Sequence, residues 1–187
     1  MPPDRNLSLC AGPLLLRPPQ VEDVDAIYEA ADSSRDQLSR WMPWCHAEYC
    51  RDDTWEFISS RAEAWERDVE YALLITRADD GRVLGMTGLN QLDRLQQRAN
   101  LGYWVRTSET GRNVATIAAR RVARWGFDVL GLERIEIVAA VGNLASQRVA
   151  EKVGAYREGI LRCRLRLAEV QHDAVCYSLI PSDHCEA

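Results

Sequence analysis

The chain has 187 residues, a formal net charge of −5, 47% hydrophobic residues and 27% charged ones. That length suits one domain with a real core, and a negative balance argues against a general nucleic-acid binder, whose affinity rests on basic surfaces. No apolar run approaches the roughly 20 residues of a bilayer span, and the start M-P-P-D-R-N-L-S-L-C-A-G-P lacks the basic and then apolar regions of a secretion signal.

Leu14 to Arg17 is a short apolar run closed by two prolines, a first strand. Val21, Val24, Ile27 and Tyr28 recur at helical spacing, predicting a helix over Glu22 to Ala31. A short helix around Gln37 to Arg40 runs into W-M-P-W, where Pro43 stops it. Asp53 with Glu56 three residues on resembles a capping box with Asp53 as the cap, ahead of a helical face of Trp55, Ile58, Ala62 and Trp65. Glu70 to Arg77 and Val83 to Gln91 read as strands joined through the Asp-Gly turn of A-D-D-G-R, and Arg98 to Val105 extends the meander.

Val114, Ala118, Val122, Trp125 and Val129 stripe a long helix whose other face carries Arg120, Arg124 and Asp128. Alternation predicts a strand over Arg134 to Val141. A helix from Ala145 to Val153 ends at Gly154, and strands near Tyr156 to Leu165 and Val170 to Ile180 close the chain. This order is not the regular alternation of a doubly wound sheet. It predicts an α+β domain with a mixed, mostly antiparallel sheet, a meander on one side and a βαβ crossover in the middle. There is no internal repeat and no linker.

Between a strand and the long helix lies S-E-T-G-R-N-V-A-T, Ser108 to Thr116. A helix start offers unpaired N–H donors and the positive end of a dipole, the usual seat of a phosphate. The stretch holds one glycine, Gly111, and Asn113 stands where a second would be expected. Asn is among the few other residues that visit the left-handed region readily. Read alone, the stretch fits a plain helix cap as well as a phosphate cradle.

Three stretches in order resemble the GNAT superfamily of acyl-CoA-dependent N-acyltransferases, and within it the RimJ/RimL type of ribosomal-protein N-terminal acetyltransferase. W-M-P-W, Trp41 to Trp44, is similar to that branch's W-L-P-W. L-G-Y-W-V with T-G-R-N-V-A-T is similar to the strand and Q/R-x-x-G-x-G/A loop, and N-L-A-S-Q-R-V-A-E-K-V-G-A to N-x-x-S-x-x-V-x-E-K-x-G-F. The likeness covers about residues 14 to 180 and treats the whole chain, 1 to 187, as one domain. It implies helices on both faces of the sheet and a splayed strand pair that admits the acyl-CoA.

By that resemblance acetyl-CoA is the co-substrate and an amine the acceptor. The backbone of Trp104, Val105 and Arg106 would pair with the pantetheine arm as an added strand. Thr110, Gly111, Arg112, Asn113, Val114, Ala115 and Thr116 would cradle the pyrophosphate, with charge from Arg112 or Arg121. Ser146 falls where the branch keeps a serine near the leaving sulfur, as proton or hydrogen-bond donor; a first-turn serine bonding locally fits equally. Asn143 would hold cofactor or substrate and is as well suited to capping its helix. Trp41, Met42 and Trp44 would wall the acceptor groove, or plug the core. Tyr103 and Tyr177 are candidate proton donors, and Arg148 and Lys152 suit either phosphate or solvent.

At pH 7, deprotonation costs about 1–1.4 kcal/mol for an α-amine and about 4.6 kcal/mol for lysine. A protein or peptide α-amine therefore asks least of a base. A small amine (antibiotic, polyamine or amino-acid derivative) is the alternative acceptor, and a degenerate acyl-CoA-binding module the alternative to an enzyme. The branch's glutamate base falls on Leu165, which leaves the base open among a water relay, Glu70 or none; Glu158 and Glu169 flank the position without matching it. The six cysteines form no C-x-x-C pair and read as reduced thiols in a cytoplasm. Cys45, His46, Cys50, His172, Cys176, His184 and Cys185 lack the paired spacing of a zinc site, so no metal is expected. Neither a membrane nor direct nucleic-acid contact is implied, and a homodimer is left open.

Overall fold

A computed structural model describes residues 2–184. The element order is β1 (Leu9–Ala11), β2 (Leu14–Arg17), α1 (Val24–Asp32), α2 (Arg35–Leu38), α3 (Arg51–Glu66), β3 (Tyr71–Arg77), β4 (Val83–Asp93), β5 (Arg98–Val105), α4 (Val114–Asp128), β6 (Arg134–Ala140), α5 (Leu144–Val153), β7 (Tyr156–Leu167) and β8 (Val170–Leu179). The strands form one sheet in the order β1-β2-β3-β4-β5-β6-β8-β7. Among the described residues, only β5 and β6, the ends of the α4 crossover, pair in parallel.

Strand β3 is apolar along nearly its whole length because both its faces are covered. Tyr71, Leu73 and Ile75 join the core under α4, which presents Val114, Ala118, Val122 and Trp125. Ala72 and Leu74 face Val24 and Ile27 of α1 and Ile58 of α3 on the other side. The rings of Trp65, Tyr71 and Trp125 close the first core, Tyr71 meeting the two tryptophans edge-on at 4.7 and 5.3 Å.

β5 and β6 pair only at Arg98, Ala99 and Asn100 and then part. From Leu101 to Val105, β5 keeps β4 on one side and, among the described residues, has no strand on the other. Gly85 makes this end of the meander possible. A Cβ there would stand 2.1 Å from the Trp104 carbonyl oxygen and 2.8 Å from Val105 Cα, so only a bare backbone lets β5 lie so close. With the Trp104 carbonyl and the Arg106 N–H turned to β4, alternation turns the backbone groups of Tyr103 and Val105 to the open side.

Three local expectations are corrected. The cap of α3 is Cys50, and Asp53 at the third helical position accepts from the Cys50 N–H at 2.7 Å. The helix thus starts two residues before Asp53, and its buried face is Thr54, Ile58 and Trp65, with Trp55 48% exposed. Val129 lies just past α4 and is exposed, because the helix ends at Asp128. A further strand, β1, precedes the first expected one; its three residues are too few for a periodic signal.

Candidate active site

Two cavities open on either side of the free end of β5. The smaller, about 330 Å³, runs between β5, the start of α4 and one face of α5; its lining includes Trp41, Met42, Trp104, Val105, Thr110, Gly111, Asn113, Val114, Ala115, Thr116, Asn143, Ser146 and Lys152. The larger, about 580 Å³, lies between α1, α3 and the meander, walled by Trp44, Tyr49, Phe57, Met86 and Trp104, with Asp53, Glu56 and Glu70 among its polar residues. Met42, Tyr103 and Trp104 line both. The two cavities meet there.

The loop before α4 has the conformation a helix-start anion site needs. Gly111 and Asn113 both take positive φ, 77° and 61°. The first helical bond runs from the Ile117 N–H to the Asn113 carbonyl, leaving the N–H groups of Val114, Ala115 and Thr116 without an intrahelical acceptor. Asn113 occupies the cap position, yet its side chain makes no cap bond. It turns outward, and its Oδ1 accepts from Lys152 Nζ at 2.9 Å.

On α5 the cap is conventional: Asn143 Oδ1 accepts from the Ser146 N–H at 3.1 Å. That fixes the first turn and holds Ser146 opposite β5. The Tyr103 hydroxyl donates to the Ser146 carbonyl at 3.0 Å and lies 3.1 Å from Ser146 Oγ. Burial pushes the Tyr103 hydroxyl up to about 12, with the Ser146 contact opposing it, so the phenol keeps its proton at neutral pH.

Several sequence-picked residues lie elsewhere. Arg106 is no free strand edge: its N–H donates to Leu84 and its carbonyl accepts from Glu109. Its buried guanidinium donates to the Val83 carbonyl and pairs with Glu29, so neither its N–H nor its side chain is free to donate to a ligand. Arg112 faces Glu109 at 3.5 Å and Arg121 reaches the Cys10 carbonyl. Trp41 lines the smaller groove rather than the larger cavity, its ring packed toward Gly142. Met42 and Trp44 do line the larger one.

The flanking carboxylates are accounted for. Glu158 accepts two bonds from Arg134 at 2.6 Å and one from Ser178, and this pairing lowers it to about 2. Glu169 pairs with Arg166, and Leu165 sits on β7 opposite His172. None of these three lines either cavity. Glu70 does, with Oε2 2.6 Å from Arg61. Among the described residues, no group of three or more His, Cys, Asp or Glu is placed to hold a metal ion. The candidate ligand Cys185 and the side chain of His184 lie outside the described residues.

A family model described as an acetyltransferase (GNAT) domain matches residues 13–156. The chain belongs to the GNAT acetyltransferases. It is 31% identical to YdaF of Bacillus subtilis, provisionally named a ribosomal N-acetyltransferase, over 85% of this chain and 86% of that one. The fold is shared with RimL, a ribosomal L7/L12 α-N-protein acetyltransferase solved with coenzyme A (TM-score 0.86, 19% identity, 93% of this chain and 98% of that one). It is shared equally with Mycobacterium smegmatis RimJ in complex with CoA-disulfide (TM-score 0.87, 22% identity, 97% and 89%). Like its family, this GNAT enzyme transfers the acetyl group of acetyl-CoA to an amine. The open N–H groups at the α4 start and the free edge of β5 are donors of the kind that co-substrate's phosphates and amides require.

Among sequence-selected candidates, Tyr103 changes most in standing. A tyrosine on a strand ordinarily signals packing. The splay removes its neighbour strand and leaves its hydroxyl to α5, which no periodicity could announce.

Proposed function

We propose that the chain acts as a single acetyltransferase domain on the N-terminal α-amine of a protein or peptide, in the cytoplasm. The observation that carries the reading is the meeting of the two cavities at Tyr103 and Trp104, beside Ser146. The smaller groove takes the acyl-CoA, with its phosphates on the N–H groups from Gly111 to Thr116 and its pantetheine along the backbone of Tyr103 and Val105. The larger cavity takes the acceptor, walled by Met42 and Trp44, with Trp41 on the cofactor side.

The reaction forms a C–N bond and breaks the C–S bond of the thioester. The acceptor must arrive without its ammonium proton, and the released thiolate takes up one proton. Asp53 is held low by the Cys50 N–H, and Glu70 is bound to Arg61. A lowered Asp53 and a Glu70 already engaged by a guanidinium fit an α-amine far better than a lysine. Full transfer of a proton from a phenol near 12 to a thiolate near ~8.5 is uphill by about 5 kcal/mol. The hydroxyls of Ser146 and Tyr103, the latter turning its one proton from the Ser146 carbonyl to the sulfur, therefore stabilise the leaving group by hydrogen bonding, and the thiol's proton comes from the acceptor nitrogen. Asn143 acts through Ser146, by holding the first turn of α5 in place.

The test is thiol release from acetyl-CoA with peptides differing only in which amine is free. A peptide with a free α-amine and blocked lysines should turn over, with the acetyl group on the N-terminal nitrogen by fragment mass spectrometry. Turnover only with the blocked α-amine and free lysine, or only with small amines, would overturn the acceptor assignment.

A further inference from the structure

We propose that Asn113 and Lys152 work as a pair that carries a fixed cation to the phosphate-binding start of α4, where the family pattern has glycine and bare backbone. The inference rests on the smaller groove being the acyl-CoA groove. Three observations support it.

An asparagine at a helix cap ordinarily folds its side-chain oxygen onto the N–H groups of the first turn. That would fill the donors an anion needs. Here Asn113 has the left-handed backbone of a glycine, φ 61° and ψ 12°, and makes no cap bond. Its Oδ1 is instead taken by Lys152 Nζ at 2.9 Å. The lysine thus draws the side chain off the helix start, and the N–H groups of Val114, Ala115 and Thr116 stay open.

Lys152 is itself anchored from the same side. Its carbonyl, in the last turn of α5, accepts from the guanidinium of Arg120 on α4. With backbone held by Arg120 and ammonium by Asn113, the side chain is tied at both ends to the helix whose start it overlooks. An ammonium has three donors. One goes to Asn113, and the others are free for phosphate oxygens without breaking that bond.

The geometry of α5 supplies the third observation. Ala145, Ser146, Val149 and Lys152 share the face that lines the groove, at the spacing of one helical stripe. Six residues at 1.5 Å rise separate Ser146 from Lys152, about 9 Å along the groove. One helix therefore presents a hydroxyl at the reacting end and a cation at the phosphate end. Of the other basic residues near the loop, Arg112 faces Glu109 and Arg121 reaches Cys10; Arg148 also lines the groove, but Lys152 is the one bound to the residue at the α4 cap.

Calorimetric titration of the free protein with coenzyme A, at low and moderate salt, tests the pair. Lys152→Gln should weaken CoA about tenfold, the scale of one charge-assisted hydrogen bond, and flatten the salt dependence. Lys152→Arg should restore most of the affinity. Asn113→Gly, although it installs the family's residue, should also weaken CoA, whereas in the Lys152→Gln background it should recover part of the loss, because glycine has no side chain to fold onto the open N–H groups. Pantetheine, which lacks the phosphates, should bind all variants alike. CoA affinity unchanged in Lys152→Gln, effects of the two substitutions that simply multiply, or an equal loss for pantetheine would each overturn the proposal. Absence of CoA binding in the unaltered protein would instead overturn the groove assignment beneath it. Both side chains lie at the surface, and matching unfolding midpoints of the free proteins confirm that the variants are folded.

Discussion

The smaller groove, proposed for the cofactor, is lined by the end of one strand, the loop and helix start after it and a face of the next helix, with Gln37, Leu38, Trp41 and Met42 reaching in from outside that unit. The larger cavity, proposed for the acceptor, draws its lining from α1, the loop between α2 and α3, α3 itself, and three strands of the meander. The first is a site of backbone: N–H groups at α4, a strand edge at β5, and a capped first turn at α5. The second is a site of side chains, Trp44, Tyr49, Phe57 and Glu70 among them, that meet only when sheet and helices are assembled. A backbone site can keep its function while residues change, as Asn113 shows by taking the φ of a glycine. A side-chain site changes its shape and polarity with each substitution in its lining.

That contrast can be broken at the point where the two sites join. Gly85→Val should be the most damaging change, because its Cβ would collide with the Trp104 carbonyl and part β5 from β4. Overpacking of this kind costs about 3 kcal/mol, or roughly 6–12 °C in the unfolding midpoint of a chain this size. A midpoint within about two degrees of the parent, on that same scale, would show that β5 can shift freely. Tyr103→Phe comes next: kcat should fall about a hundredfold while CoA affinity stays within about twofold, since the hydroxyl serves the leaving sulfur and not the ground state. Ser146→Ala should lower kcat by about tenfold, again with little change in CoA affinity. Parental kcat in Ser146→Ala removes Ser146 from the chemistry and leaves it a turn residue.

The smallest effect sharpens the other side of the comparison. Glu158, outside both cavities, is lowered to about 2 by Arg134. A depressed carboxylate stabilises the fold above its unfolded value, near 4.5, and that contribution disappears as pH falls through its folded value. Glu158→Gln should therefore lower the unfolding midpoint at pH 7 by about 2–4 °C, for about 1 kcal/mol after discounting its partial exposure. The gap should close between about pH 4.5 and pH 2, with activity on peptides unaffected throughout.

The same division explains what could be read from the chain. The groove was legible because consecutive residues build it. T-G-R-N-V-A-T announces a turn and a helix start, and Asn143 with Ser146 announces a cap. Asn113's positive φ is one that asparagine tolerates, which the sequence leaves open and the structure shows, whereas the direction of its side chain depends on Lys152, thirty-nine residues away. The acceptor side read poorly for the same reason. A phase error on α3 put Trp55 inside, since Asp53 resembled a cap and the true cap is a cysteine. W-M-P-W read as one wall, but Trp41 and Trp44 part to different cavities around the proline. Arg106 read as a free strand edge, whereas Leu84, Glu109 and Glu29 take up its groups.

The proposed chemistry is tested most directly by the pH dependence of kcat/KM for a peptide with a free α-amine, in the parent enzyme and in Tyr103→Phe. That chemistry requires a rise with a midpoint at about pH 8 that levels off above about pH 9, following the acceptor's own amine. Tyr103→Phe should then lower the plateau without moving the midpoint. A midpoint that shifts with Tyr103, or a profile indifferent to the acceptor's ionisation, would contradict it.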